Sequence, residues 1–130
     1  MSEPIPEDVR RFLASNIESI DQLEILRVLG DDPAREWGAA ALAAEVQAAP
    51  RDVPGHVAAL AGRGLLAFET RGAEVVCRYG PATPELGAIL QRVLQFYRQR
   101  PVTLIKLVYE QAADPLRAFA DAFRLRKKED

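Results

Sequence analysis

Leu66-Ala67-Phe68-Glu69-Thr70-Arg71-Gly72-Ala73-Glu74-Val75-Val76-Cys77-Arg78-Tyr79 is where the period of the chain changes from helical to two. Leu66, Phe68 and Thr70 alternate with Ala67 and Glu69, and Val75, Cys77 and Tyr79 alternate with Val76 and Arg78. Alternation of this kind turns one face of a strand toward a core, and Arg71-Gly72-Ala73 between the two runs supplies the turn. The stretch predicts a β-hairpin.

What precedes the hairpin is helical. In residues 53–64, Val57, Leu60 and Ala61 point one way, Pro54 sits where a first helical turn tolerates it, and Gly64 closes the segment. Residues 38–46 are alanine-rich, with Leu42 and Val46 four apart and Ala39 and Ala43 small enough for close helix packing. Two short helices joined over residues 47–52 make a helix-turn-helix, and a hairpin directly after it gives the order of a winged helix. Trp37 is placed to supply a short extra strand. Further back, Ser19 is an N-cap for a helix carrying Ile20, Leu23, Leu26, Val28 and Leu29, ending at Gly30 with Asp31-Asp32-Pro33 as the stop. A first helix starts after Pro6, buries Val9, Phe12 and Leu13, and ends near Asn16.

After the hairpin, Gly80-Pro81-Ala82-Thr83-Pro84 breaks both periods, and Thr83 caps a new helix. Leu86, Ile89, Leu90, Val93, Leu94 and Tyr97 form its apolar stripe, with Gln91, Arg92, Gln95, Arg98 and Gln99 opposite. Pro101 interrupts the pattern. Residues 102–111 continue as a helix or a kinked continuation, with Leu104, Ile105, Val108 and Tyr109 expected to face inward. Asp114-Pro115 then opens a last amphipathic helix carrying Leu116, Phe119, Ala120 and Phe123. The expected fold class is α+β, mainly α: a winged helix-turn-helix with an N-terminal helix over residues 1–80, and a helical extension over 81–130. The extension could cover the core from one side. It carries more apolar surface than a small three-helix core buries, however, and mutual burial between two chains is the economical use of it. Leu86, Ile89, Leu90, Val93, Tyr97, Leu104, Val108, Phe119 and Phe123 are the expected dimer or partner interface.

Composition bounds the function. The chain has 130 residues, 48% hydrophobic and 28% charged, which is the content of a folded domain rather than a disordered one. No stretch approaches the roughly 18 consecutive apolar residues of a membrane span, and residues 1–8 are acidic rather than basic and apolar, so a cytoplasmic location is expected. Cys77 and His56 are the single cysteine and histidine, which excludes an intrachain disulfide and the usual closed zinc site. The paired acids Glu7-Asp8 and Asp31-Asp32 lie at helix ends, where capping and solvation account for them. With no phosphate-cradling glycine loop, no G-x-S-x-G and no H-E-x-x-H, neither enzyme activity nor a cofactor or metal is expected. The net charge of −2 argues against indiscriminate coating of nucleic acid. It divides unevenly, as −6 over residues 1–50, +1 over 51–80 and +3 over 81–130, so an anionic partner would meet the middle or the end.

Residues 19–79 resemble the winged-helix bacterial regulators in the broad sense that includes MarR-like and PadR-like proteins. The resemblance is carried by Ile20-Asp21-Gln22-Leu23-Glu24-Ile25-Leu26, Ala41-Leu42-Ala43-Ala44-Glu45-Val46, Val57-Ala58-Ala59-Leu60 and Arg63-Gly64-Leu65-Leu66. It implies that residues 51–64 enter the major groove of double-stranded DNA, that residues 66–79 act as the wing, and that added helices dimerise. Arg51, His56, Arg63, Arg71 and Arg78 are then the expected DNA contacts. The chain departs from the pattern at Gly38, which stands where a Ser or Thr cap is usual. The presumed recognition helix is also poor in the Arg, Lys, Asn and Gln that read base edges, and Asp52, Glu69 and Glu74 lie among its basic residues. Two readings follow: a homodimeric DNA-binding transcriptional regulator, or a winged-helix module that docks on another protein through its C-terminal helices without strong DNA binding. Cys77 falls on the hairpin's apolar face, where a thiol usually packs inertly, although a redox sensor is the sharper reading. Arg117, Arg124, Arg126, Lys127 and Lys128 are either a basic tail for an anionic partner or a solubilising helix end.

Overall fold

The computed structural model describes residues 5–113. The expected last helix, and with it Phe119 and Phe123, lies outside the described residues. Helix α1 spans Glu7–Asn16 and α2 spans Ile20–Asp31. Ser19 caps α2 as expected, its hydroxyl accepting from the Gln22 N–H at 3.3 Å. Strand β1, Trp37–Gly38, leads directly into α3, Ala39–Val46, and then α4, Val53–Gly62. The hairpin consists of β2, Leu66–Arg71, and β3, Glu74–Tyr79. Helix α5, Pro84–Gln99, follows a Thr83 cap whose hydroxyl accepts from the Leu86 N–H at 3.1 Å, and α6, Pro101–Ala113, completes the described chain.

The three strands form an antiparallel sheet in the order β1-β3-β2. Trp37 pairs with Cys77, and Cys77 pairs with Phe68 across the hairpin. Paired and alternate residues share a face, so Trp37, Cys77, Leu66 and Phe68 lie on one side of the sheet; the first three are buried in the core, while Phe68, expected on the same apolar face, is 45% exposed. Gly72 takes φ +65 at the hairpin tip and Gly64 takes φ +77 at the exit of α4, backbone that side chains rarely adopt. The Gly64 carbonyl then accepts from the Ala82 N–H at 2.8 Å, which ties the linker after the wing to the end of α4.

One hydrophobic cluster runs from Val9 in α1 to Val108 in α6. Helix α5 packs on α1 and α2, and α6 packs on α1, α2 and α5. Polar contacts hold α5 to α2 as well: the Tyr97 hydroxyl donates to Glu24 at 2.9 Å, and Arg98 pairs with Asp31 at 2.9 Å.

This packing corrects the expected interface. Leu90, Val93 and Leu104 are fully buried, and Tyr97 and Val108 nearly so, within a single chain. Burying a large apolar side chain contributes about 2 kcal/mol. Holding these five out for a second chain would cost the unassociated chain about 10 kcal/mol, comparable with the whole stability of a domain. They belong to this chain's own core. Leu86 and Ile89 are half-buried, at the rim of α5. Tyr109, expected to face inward, is 64% exposed.

Candidate nucleic-acid interface

Helix α3 ends in a left-handed cap at Gln47, φ 58, whose N–H bonds the Ala43 carbonyl. Helix α4 begins after Asp52 with Pro54 in its first turn, and the Asp52 side chain makes no capping bond. The start of α4 thus has no side-chain cap, and a helix N-terminus favours an anion. Val53, Val57 and Leu60 are the buried line of α4. The opposite side presents Pro54, Gly55, Ala58 and Gly62, with Ala59 and His56 half-buried beside them. No side chain on that outer line carries a hydrogen-bonding group. The face can approach a partner closely but offers little direct readout of base edges.

His56 and Arg63, both expected at the DNA, converge instead on Gln22 of α2, which is 2% exposed. The Gln22 Oε1 accepts from the Glu18 N–H at 2.9 Å and lies 3.4 Å from Arg63 Nη1. The same Arg63 nitrogen donates to the Asn16 carbonyl at 2.7 Å, and the other pairs with the Glu18 carboxylate. Since Oε1 faces donors, the Gln22 Nε2 donates to His56 Nδ1 at 3.3 Å. This network assigns the imidazole proton to Nε2, which points toward Asp21 Oδ2 at 3.9 Å. The two basic side chains thus brace α4 against the α1–α2 junction. Sequence reasoning missed Gln22. Its signal was a polar residue on an apolar line, three, four and seven positions before Ile25, Leu26 and Leu29.

The remaining arginines divide by partner. Arg71, at the wing tip, pairs with Glu36 at 2.6 Å and with Glu69. Arg51, just ahead of α4, and Arg78, on β3, are exposed, and neither side chain has a hydrogen bond or ion pair among the described residues. Arg35 stacks over the Trp37 ring, 3.6 Å from its centroid. Cys77 is 2% exposed, and burial pushes its thiol up to about 11, so little thiolate exists near neutrality. Among the described residues, no three His, Cys, Asp or Glu side chains are grouped to hold a metal, and no helix is long and apolar enough to cross a membrane.

No family model matches the chain, and no curated protein resembles it in sequence. Likeness appears in the fold. Reduced HlyU from Vibrio cholerae N16961 superposes with a TM-score of 0.51 at 18% identity, over 68% of this chain and 88% of that one. The homodimeric winged helix-turn-helix DNA-binding domain of a possible ArsR-family transcriptional regulator from Mycobacterium bovis gives 0.52 at 16% identity, over 77% and 93%. A possible transcriptional regulator from Methanosarcina mazei Go1 gives 0.51 at 20% identity, over 77% and 85%. At such identities the likeness speaks for architecture alone. Together with the β2–β3 hairpin that follows α3 and α4 and pairs with β1, it establishes that this chain has the winged helix-turn-helix fold.

Proposed function

We propose that the chain is a non-enzymatic, cytoplasmic DNA-binding transcriptional regulator that acts as a homodimer and needs no cofactor. Helix α4 enters the major groove with its N-terminus toward a phosphate, and the β2–β3 wing lies along the backbone. The observation that carries this reading is the pair of exposed, unpartnered arginines, Arg51 at the start of α4 and Arg78 on the wing. Arg71 joins them once DNA phosphate displaces its acidic neighbours. His56 and Arg63 act indirectly, by holding α4 in place. The M. bovis neighbour, a homodimeric DNA-binding domain on the same fold, supports both the partner and the assembly. Since α4 carries few base readers, affinity comes chiefly from backbone contacts, and sequence preference from DNA shape as much as from base edges.

A second reading is a winged-helix module that binds another protein and has little DNA affinity. The small-residue outer line of α4 favours it. Titration of the purified chain onto its own promoter region at several salt concentrations separates the two. The regulator reading expects binding that weakens steeply with salt, through counterion release. Absent or salt-insensitive binding supports the protein-binding module.

A further inference from the structure

Strand register places Glu69 and Arg71 of β2, and Glu74, Val76 and Arg78 of β3, on the face of the sheet turned away from Trp37 and Cys77. Glu36, just before β1, reaches the same face through its ion pair with Arg71. The described residues there include three carboxylates, Glu36, Glu69 and Glu74, and two guanidiniums, Arg71 and Arg78. A wing that is to meet a polyanion is thus no more basic than acidic.

Arg71 stands at the tip of the hairpin opposite Glu74, on one edge strand of the sheet, and Glu36 adjoins the other edge strand. The partner of Trp37 on β3 is Cys77, three residues back from the tip. Arg71 Nη2 nevertheless lies 2.6 Å from Glu36 Oε2 and also holds the Glu69 carboxylate. To meet Glu36 across β3, the Arg71 side chain lies back over the sheet instead of projecting beyond Gly72. The segment that carries Glu36 is itself fixed. The Arg35 N–H bonds the Asp32 carbonyl at 3.1 Å, and the Arg35 guanidinium stacks on the ring of buried Trp37.

A guanidinium takes carboxylate and phosphate oxygens in the same geometry, so Glu36 and Glu69 occupy donors that a DNA phosphate would use. An exposed ion pair is weak by itself, but release of this one carries a second cost. Glu36 and Glu69 line, together with Arg78, Ala67 and Val76, a dimple of about 170 Å³. Once Arg71 lets go, two uncompensated carboxylates stand beside the phosphate that Arg78 is to take. We propose that Glu36 and Glu69 form an autoinhibitory clasp on Arg71 that holds down the wing's affinity for the DNA backbone. The proposal rests on the DNA-binding reading above and adds a regulation of the same surface.

The test is fluorescence anisotropy on a labelled duplex from the chain's own promoter region, at several salt concentrations. The wild type is compared with Glu36→Gln/Glu69→Gln, with Arg71→Ala, and with the triple variant that combines them, and thermal melts confirm that each folds. One phosphate contact corresponds to roughly eightfold in affinity at about 0.1 M salt, taking about 1 M as the point where the salt effect vanishes. The glutamine variant should therefore bind roughly eightfold more tightly than the wild type, with a salt slope steeper by about 1. Arg71→Ala should cost the glutamine variant roughly eightfold more than it costs the wild type. An unchanged affinity in the glutamine variant overturns the clasp. Equal losses on Arg71→Ala in the two backgrounds also overturn it, because the gain would then be the general effect of removing negative charge from a DNA-facing surface. Both of those outcomes keep salt-dependent binding by the wild type, and with it the regulator reading. Absence of binding by the wild type and the glutamine variant alike overturns the regulator reading and the clasp together.

Discussion

The Gln22 side-chain amide donates to His56 Nδ1 at 3.3 Å, linking a carboxamide sealed inside α2 to the candidate recognition helix 34 positions away. With Arg63 and the Glu18 N–H on its oxygen, this one side chain ties α2 to the end of α4, and Arg63 carries the link on to the Asn16 carbonyl at the end of α1. Replacing it leaves the half-buried His56 and Arg63 side chains and the Glu18 N–H short of a partner. Gln22→Leu is expected to lower stability by about 1–3 kcal/mol, seen as a lower urea midpoint with an unchanged slope. Gln22→Glu keeps an acceptor for Arg63 and loses only the donor to His56, so it should fall between the two. A Gln22→Leu midpoint equal to the wild type would mean that the network contributes nothing net.

The arginines are expected to separate into two groups. Arg51→Ala and Arg78→Ala remove exposed, unpartnered charges, so each should weaken DNA binding across sequences and reduce the salt slope by about 1, with the melting temperature unchanged. Arg63→Ala should instead cost about 1–3 kcal/mol of stability, because its guanidinium satisfies the Asn16 carbonyl and pairs with Glu18. Fluorescence anisotropy on labelled duplex at several salt concentrations, beside thermal melts, reads both quantities. An Arg63→Ala chain that melts normally but loses DNA would return Arg63 to the contact surface.

The fold was legible because its signals are local. A change of period at Leu66, caps at Ser19 and Thr83, and glycines at the exit of α4 and the hairpin tip are each set by a few neighbouring residues. Ownership of an apolar stripe is not local. The line from Leu86 to Tyr97 has the same spacing whether it covers its own chain or another, and only the position of α1 and α2 decides that it is core. The Gln22 network joins residues 34 and 41 positions apart, beyond the reach of any periodicity. Gly30 shows the same limit. It reads as a helix end, yet α2 continues through Asp31.

Alkaline pH should destabilise the fold ahead of general denaturation. Burial raises the Cys77 thiol from 9.0 to about 11, and burial followed by the hydrogen bond to Glu24 raises the Tyr97 phenol from 10.0 to about 12. Both groups are neutral when protonated, so the unfolded chain gives up these protons first. Stability is then full below pH 9 and falls as pH rises, through Cys77 between about 9 and 11 and through Tyr97 between about 10 and 12. Urea midpoints measured from pH 7 to 11 should decline above 9, and Cys77→Ala should remove the earlier part of the decline. By the same burial, thiol reagents at pH 8 should label Cys77 only as fast as the chain opens.

Two glycine substitutions of identical chemistry should move stability in opposite directions. Inside a helix, Gly→Ala ordinarily gains up to about 1 kcal/mol by reducing the freedom of the unfolded chain. At Gly62, on the outer side of α4, an added Cβ meets nothing within 4 Å, and Gly62→Ala should raise the melting temperature. At Gly30 the same atom would stand 2.6 Å from Leu94 Cδ1, with Tyr79 at 3.7 Å and Arg98 at 3.9 Å. Leu94 is fully buried and cannot swing into solvent, so α5 must shift off α2. Overpacking of this kind costs about 1–3 kcal/mol, more than the helical gain. Gly30→Ala should therefore melt below the wild type, and pairing it with Leu94→Ala, which opens the space, should make its effect less unfavourable in a double-mutant cycle. A rise in melting temperature at Gly30 alone would mean that α5 rides on α2 more loosely than the 2.6 Å approach requires.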